Sequence, residues 1–440
     1  DWDQISDAFS AVRGLGYVVW YPVGLDAVSM SDGNAVFDAI AAWKERHARS
    51  QFDARILVMG GSTESLCIAV NTAASSCGVS HEVTDSATGG KLREFSNTIA
   101  LLGMEETVPA FALADYDSLD RPTIALLHLP EHTSLARDYA LAAEANDPLL
   151  QDWLGEAEQP ARVVELTDPD AVPWQSGAIL FAPLGAAPTS ALQLLLLPTQ
   201  VAARFHSPRA WIQEGMERFL QAVSVDARSG RKAALDFLDE YREALVTVEA
   251  ATHPEKAKAA SGTSEADNTL LNTNDELYLR GKSSFVLWML RDMLGDTAMQ
   301  SALAAYQPGA DVEPNYLQRL LQASSKRDLE WFFDDWVYRD RGLPDFHVES
   351  AYARPLLTAA KSFLVTATIE DRGHAGAEVP VIVQTPSGTK VMRIEVMAGE
   401  KASGRIEVPV APTKIVVNDG SVPDANLGNT VYDVPPPQTQ

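Results

Sequence analysis

From Ala171 to Ala203 the chain carries no charged side chain. A stretch of that length cannot be laid out on a solvated surface. It either crosses a membrane or is enclosed by the rest of the protein. Pro173, Pro183, Pro188 and Pro198 interrupt it, and each removes a backbone donor and disfavours a continuous helix. The reading that follows is a buried strand, Ala178-Ile-Leu-Phe-Ala182, and then a buried helix, with no transmembrane segment. Enclosing them takes a large core, and 440 residues suffice for two or three domains.

The flanking sequence mixes both periodicities. Residues 1–118 give an amphipathic helix from Asn34 to Ala48 and a strand, Ala54-Arg-Ile-Leu-Val-Met59, that stops at Gly60-Gly61. Further on, Thr123-Ile-Ala-Leu-Leu127 and Val163-Val-Glu-Leu166 read as strands on either side of a helix from Leu135 to Leu154. Helical signals then dominate. Ser207 to Val225 opens with Ser207 as N-cap and Pro208 at the first position, and Gly230 to Ala251 shows an apolar stripe at Leu235, Leu238, Tyr241 and Leu245. Tyr278 to Leu294 stops at Gly295, and Ser325-x-x-Asp328 reads as a capping box whose helix turns Trp331, Phe332 and Trp336 to the core. Residues 253–275, rich in Ser, Thr, Asn, Lys and Ala, read as a mobile loop. Beyond Gly342-Leu-Pro344 the pattern alternates in short runs at 363–367, 379–383, 391–396 and 415–417, with a turn at Thr385-Pro-Ser-Gly388.

A net charge of −25 with no basic stripe argues against nucleic acid and anionic membrane surfaces as partners. Cys67 and Cys77 are the only cysteines; they either close a small disulfide loop, which suits an oxidising compartment, or remain buried thiols. The chain begins at Asp1 without a signal peptide, which reads as a mature or trimmed form and says little about export. The acidic charge, and a disulfide if the cysteines pair, fit an extracytoplasmic location: periplasmic, envelope-associated or secreted.

Three pieces carry the chemistry. Trp211-Ile-Gln-Glu-Gly215 opens a helix that carries Glu214 inward, Tyr278-Leu-Arg-Gly281 opens another, and Trp331-Phe-Phe-Asp-Asp-Trp336 follows. In this order they resemble the catalytic domain of the aminopeptidase N family of zinc peptidases, the gluzincins. The resemblance implies that Glu214 stands at the third zinc ligand and Tyr278 at the donor to the transition-state oxyanion. It also implies an α+β multidomain fold: a mixed α/β segment (1–118), a mostly helical thermolysin-like domain (119–345), an Ig/fibronectin-like β-sandwich (346–432) and a disordered tail (433–440).

The rest of the family's machinery is missing. The zinc helix should bring two His four apart with a Glu between them. The family's usual spacing back from Glu214 falls on Ala191-Leu-Gln-Leu-Leu195, and a shorter connection falls on Pro198-Thr-Gln-Val-Ala202; neither holds a ligand. His206, the imidazole nearby, reads as a loop residue, with metal binding a remote alternative. Trp174 stands where the family places the Glu that recognises a substrate's amino terminus. His128-Leu-Pro-Glu-His132 matches the inverted zinc motif, but Pro130 keeps the two imidazoles off one helical face.

The expectation is a degenerate peptidase, leaning towards no enzyme activity and needing no metal or cofactor. Glu214 and Tyr278 would be vestigial, and the module would bind a peptide or protein partner in a cleft lined by 207–225 and 278–294 and covered by 253–275. A structural subunit of a surface or envelope assembly is the alternative. The second alternative is an active metallo-aminopeptidase with atypical ligands; a hydrolase using another arrangement has no second acid, Ser-His pair or Cys nucleophile in convincing context, and G-x-S-x-G is absent.

Overall fold

In the computed structural model, residues 3–6, 9–13, 21–29, 31, 33–47, 50–59, 66–71, 76–77, 81–100, 110–252, 269–273, 276–356 and 362–435 are described. The chain forms an α+β structure of two units, Asp1–Gln213 and Glu214–Gln440.

The first unit opens with β1 (Gln4–Ile5), β2 (Phe9–Val12), α1 (Gly33–His47), β3 (Gln51–Met59), β4 (Cys67–Val70), β5 (Ser76–Cys77), β6 (His81–Thr84), β7 (Lys91–Ala100) and β8 (Phe111–Ala114). They make two antiparallel sheets, ordered β1-β2-β8-β4-β5 and β3-β7-β6. Cys67 is disulfide-bonded, and its register partner is Cys77, the chain's other cysteine.

A mixed sheet follows, built from β9 (Asp117–Asp120), β10 (Ile124–His128), β11 (Ala161–Glu165), β12 (Trp174–Ser176) and β13 (Ile179–Ala182), with α2 (Thr133–Leu154) and α3 (Thr189–Ala202). Its order is β12-β13-β11-β10-β9, parallel in the three central strands and antiparallel at both edges. Alternation assigns the two faces. Ile124, Leu126, Val163, Leu180 and Ala182 pack on α2 and α3. Leu127, Val164, Ile179 and Phe181 pack on β2, β4 and β8 of the first sheet. The charge-free stretch thus becomes β12, β13 and α3. Pro198 does not end the helix as the sequence suggested, because α3 runs through it to Ala202. Buried Leu192, Leu196, Leu197 and Val201 hold it; each contributes about 1.5–3 kcal/mol against a proline cost of about 3 kcal/mol.

The second unit takes over within α4 (Ala210–Ser229) and continues through α5 (Arg231–Leu238), α6 (Arg242–Thr252), α7 (Glu276–Leu294), α8 (Asp296–Ala304), α9 (Tyr316–Ser325) and α10 (Glu330–Phe333), which passes into a π turn at Asp334–Tyr338. Two start signals moved. Helix α4 begins at Ala210, and Ser207 instead accepts the Arg209 N–H at 3.1 Å while its own N–H donates to Gln213 Oε1 at 3.0 Å. Ser325 closes α9, with Lys326 left-handed behind it, so the capping box reading fails; Asp328 accepts the Glu330 N–H at 2.9 Å. Phe332, Phe333 and Trp336 are fully buried, whereas Trp331 is only half-buried.

Seven strands follow: β14 (Phe346–Pro355), β15 (Phe363–Asp371), β16 (Ala377–Thr385), β17 (Gly388–Val396), β18 (Lys401–Val408), β19 (Lys414–Val417) and β20 (Val431–Asp433). They form antiparallel sheets ordered β14-β15-β18 and β17-β16-β19-β20, with Val365, Ala367, Ile369, Val379, Val381, Val383, Ile415 and Val417 buried in alternation. Polar bonds tie the strands to the helices. Trp336 Nε1 donates to the Gly376 carbonyl at 2.8 Å, and Arg231 grips Asp292 with two nitrogens at 2.8 and 2.6 Å while reaching Asp419. Of the tail read as disordered, Asp433 belongs to β20 and residues 436–440 lie outside the described residues.

Candidate functional site

The two motif glycines bring α4, the Asp239–Tyr241 turn after α5, and α7 together. A Cβ on Gly215 would stand 2.5 Å from Ser283 Cβ, and one on Gly281 would stand 2.9 Å from Tyr241 Cβ. Such distances exclude any side chain without movement, so both positions are set by close approach of neighbouring segments. The approach places Glu214 of α4 opposite Arg280 of α7. Arg280 donates from Nε at 3.0 Å and from Nη2 at 2.8 Å to the same oxygen, Glu214 Oε2. The carboxylate is largely buried, with 11% of its side chain exposed against 42% for the guanidinium.

Two residues before Arg280 on α7, Tyr278 Oη lies 3.0 Å from both oxygens of Asp340 and donates to that carboxylate. It also accepts from Lys282 Nζ at 3.0 Å. Lys282 forms an ion pair with Asp340, in which both side chains are essentially sealed from solvent, at 1% and 0% exposure. The ammonium also lies 5.4 Å from the ring centres of Tyr278 and of Trp336. Asp340 holds φ +47°, a left-handed conformation that Asp tolerates better than most residues. A hydroxyl has a single proton. While Tyr278 gives it to Asp340, it has none for a peptide carbonyl.

Sequence reasoning reached Glu214 and Tyr278 but missed Arg280, Lys282 and Asp340. Lys282 sits four positions beyond Tyr278 on α7, a same-face spacing that offered a signal; Arg280, two positions beyond, faces away from Tyr278 and offered none. Asp340 had none, because only the turn after Tyr338 carries it back to α7.

The remaining candidates lie in the first unit. His206 is half-buried in the connection after α3. Trp174 stacks on Phe181 at 5.6 Å, and the Arg13 guanidinium lies 5.2 Å from its ring centre, so it packs as a wall of the sheet-to-sheet core. His128 ends β10, and His132 directly precedes α2 and pairs with the buried Glu165; Pro130 separates them as anticipated. Among the described residues, no group of three or more His, Cys, Asp or Glu side chains is placed to hold a metal ion, and no helix is long and apolar enough to cross a membrane. Of the loop 253–275, the described part is the turn at Thr269–Thr273, where Asn272 Oδ1 accepts the Thr269 N–H at 2.7 Å. Residues 253–268 and 274–275 lie outside the described residues.

No family model matches the chain, and no curated protein matches it in sequence. Among solved structures, Legionella pneumophila aminopeptidase A in complex with aspartic acid superposes with a TM-score of 0.56 over 88% of this chain at 12% identity. The chain spans 45% of that protein's length. The likeness is one of fold: the chain has an aminopeptidase-like fold.

Proposed function

We propose that this chain is a peptide- or protein-binding module on an aminopeptidase-like fold whose hydrolytic machinery has been lost. The observation that carries the reading is the state of the two residues that resemble the family's site. Glu214 Oε2 is held by two guanidinium N–H groups of Arg280, and the Tyr278 proton is committed to Asp340. Catalytic zinc takes three protein ligands and an open position for water. The two stretches of 191–202 where the family's zinc helix would fall hold neither His, Cys, Asp nor Glu. Without a metal to lower the pKa of water, neither Glu214 nor Tyr278 generates hydroxide at neutral pH. What remains is recognition: Arg280 presents a part-exposed guanidinium beside a carboxylate, an arrangement suited to the polar ends of a peptide.

The test is metal content by plasma mass spectrometry together with hydrolysis of a panel of aminoacyl-amides. Absence of stoichiometric zinc and of turnover supports the binding module. One zinc per chain, with activity lost on chelation and on Glu214→Ala, sinks the reading and makes the protein an aminopeptidase with unusual ligands. The disulfide at Cys67 supports placing the chain in an oxidising, extracytoplasmic compartment; finding the native protein in a reducing one would overturn that placement.

A further inference from the structure

A cavity of 190 Å³ lies in the first unit between its first sheet and the mixed sheet. Strand register explains why it exists. One row across the mixed sheet reads Ser118–Leu127–Val164–Phe181, and its bulky members fill the space to the first sheet. The next row on the same face reads Asp120–Ala125–Arg162–Ile179. Here the centre is an alanine. The residue that covers this space from the first sheet is also an alanine, Ala69, in a row of three small residues, Ala11–Ala112–Ala69. Two methyl groups facing each other leave a hole where the neighbouring row has Leu and Phe.

The walls of the hole are chemically uneven. Ala69, Ile179 and Val164 give it an apolar floor, at 1–4% exposure. Arg162, on the central strand, brings a half-buried guanidinium to one side, and Asp120, on edge strand β9, brings an exposed carboxylate to the mouth. Burial lowers the Arg162 pKa, and the nearby Asp120 raises it back in part. Only the small Ala125 separates the two charged positions along the row, and both residues line the cavity.

We propose that this cavity is a binding pocket for a small zwitterion, a free α-amino acid with an aliphatic side chain. The carboxylate meets Arg162, the ammonium meets Asp120 at the mouth, and the aliphatic group fills the space between Ala69 and Ala125. The volume suits such a ligand, since an apolar cavity of about 150 Å³ holds a benzene-sized molecule. A simple fatty acid fits less well, because Asp120 repels a carboxylate that brings no cation. The inference concerns residues remote in sequence from Glu214 and Tyr278 and stands or falls independently of the proposed loss of hydrolysis.

Calorimetric titration with L-leucine, with 4-methylpentanoate, which lacks the ammonium, and with isopentylamine, which lacks the carboxylate, tests it. Saturable leucine binding is expected, with both analogues at least about tenfold weaker. Ala125→Leu fills the hole and abolishes leucine binding while the thermal midpoint stays or rises. Asp120→Asn, an exposed and fold-neutral change, removes the preference for leucine over 4-methylpentanoate. Absence of leucine binding overturns the proposal, as does leucine binding undiminished in folded Ala125→Leu. If that variant fails to fold, the Asp120→Asn titration decides, and an unchanged preference there rejects the zwitterion.

Discussion

Tyr278 shows how one hydroxyl can tie a buried charge pair together. Its hydroxyl bridges a Lys282–Asp340 pair sealed from water. Tyr278→Phe is expected to cost about 1–3 kcal/mol in urea denaturation, because it strips a buried carboxylate of a donor. Lys282→Met leaves the buried Asp340 carboxylate without its counter-ion and is expected to cost about 3–5 kcal/mol. Adding Asp340→Asn, which keeps the left-handed tolerance, should restore part of that loss; strictly additive losses would show that the two are not a pair. Two other carboxyls predict a pH dependence. Burial raises Asp371 to about 6 and Asp424 to about 7, with Asp345 adding repulsion to both, and each has an oxygen without a hydrogen-bond partner. The folded state therefore favours their protonated forms. Their contribution is fully present below the ordinary carboxylate range, near 4, and is lost as pH rises through about 6 and about 7. The thermal midpoint should fall across that window, and Asp371→Asn with Asp424→Asn should flatten the fall; a profile unchanged by both substitutions would refute the assignment.

At the level of elements, the α4–α7 crossing rests on the absence of a side chain. Gly215→Ala places a methyl group 2.5 Å from Ser283 Cβ and is expected to cost about 1–3 kcal/mol as overpacking. Ser283→Gly in the same chain should return most of it. A double variant no more stable than Gly215→Ala alone would mean that the glycine serves another purpose. Start signals were the least dependable sequence features, for a shared physical reason. Ser207 and Ser325 each find local backbone partners that suit a turn or a helix end as well as an N-cap. The long amphipathic segments were read closely instead: Leu135–Leu154 became Thr133–Leu154, and Asn34–Ala48 became Gly33–His47.

Across the second unit, helices and strands share buried charge as well as apolar surface. Arg231 and Arg393 converge on Asp292 of α7, Arg327 reaches Glu378 and Glu395 of the β-strands, and Asp335 accepts the Gly376 N–H at 3.0 Å. Removing either half would strand these groups, so residues 214–435 should unfold in one calorimetric transition. A separate transition for a β-strand part, surviving in a fragment that begins near Phe346, would contradict that coupling.

The sequence by itself determined the elements and which residue types stand at each motif position. A charge-free stretch has to be buried, alternation names strands, and a position without His or Glu cannot supply a zinc ligand. Glu214 and Tyr278 were legible because motif and helical phase are local properties. Tertiary structure alone decided what those side chains do. Arg280 comes to Glu214 because two glycines let their helices meet, and Asp340 comes to Tyr278 because a turn after Tyr338 returns the chain to α7. Likewise the cavity over Ala125 follows from strand register and from the alanine row that faces it. Partners distant in the chain are chosen by packing, and one-dimensional periodicity carries no information about which distant residue will arrive.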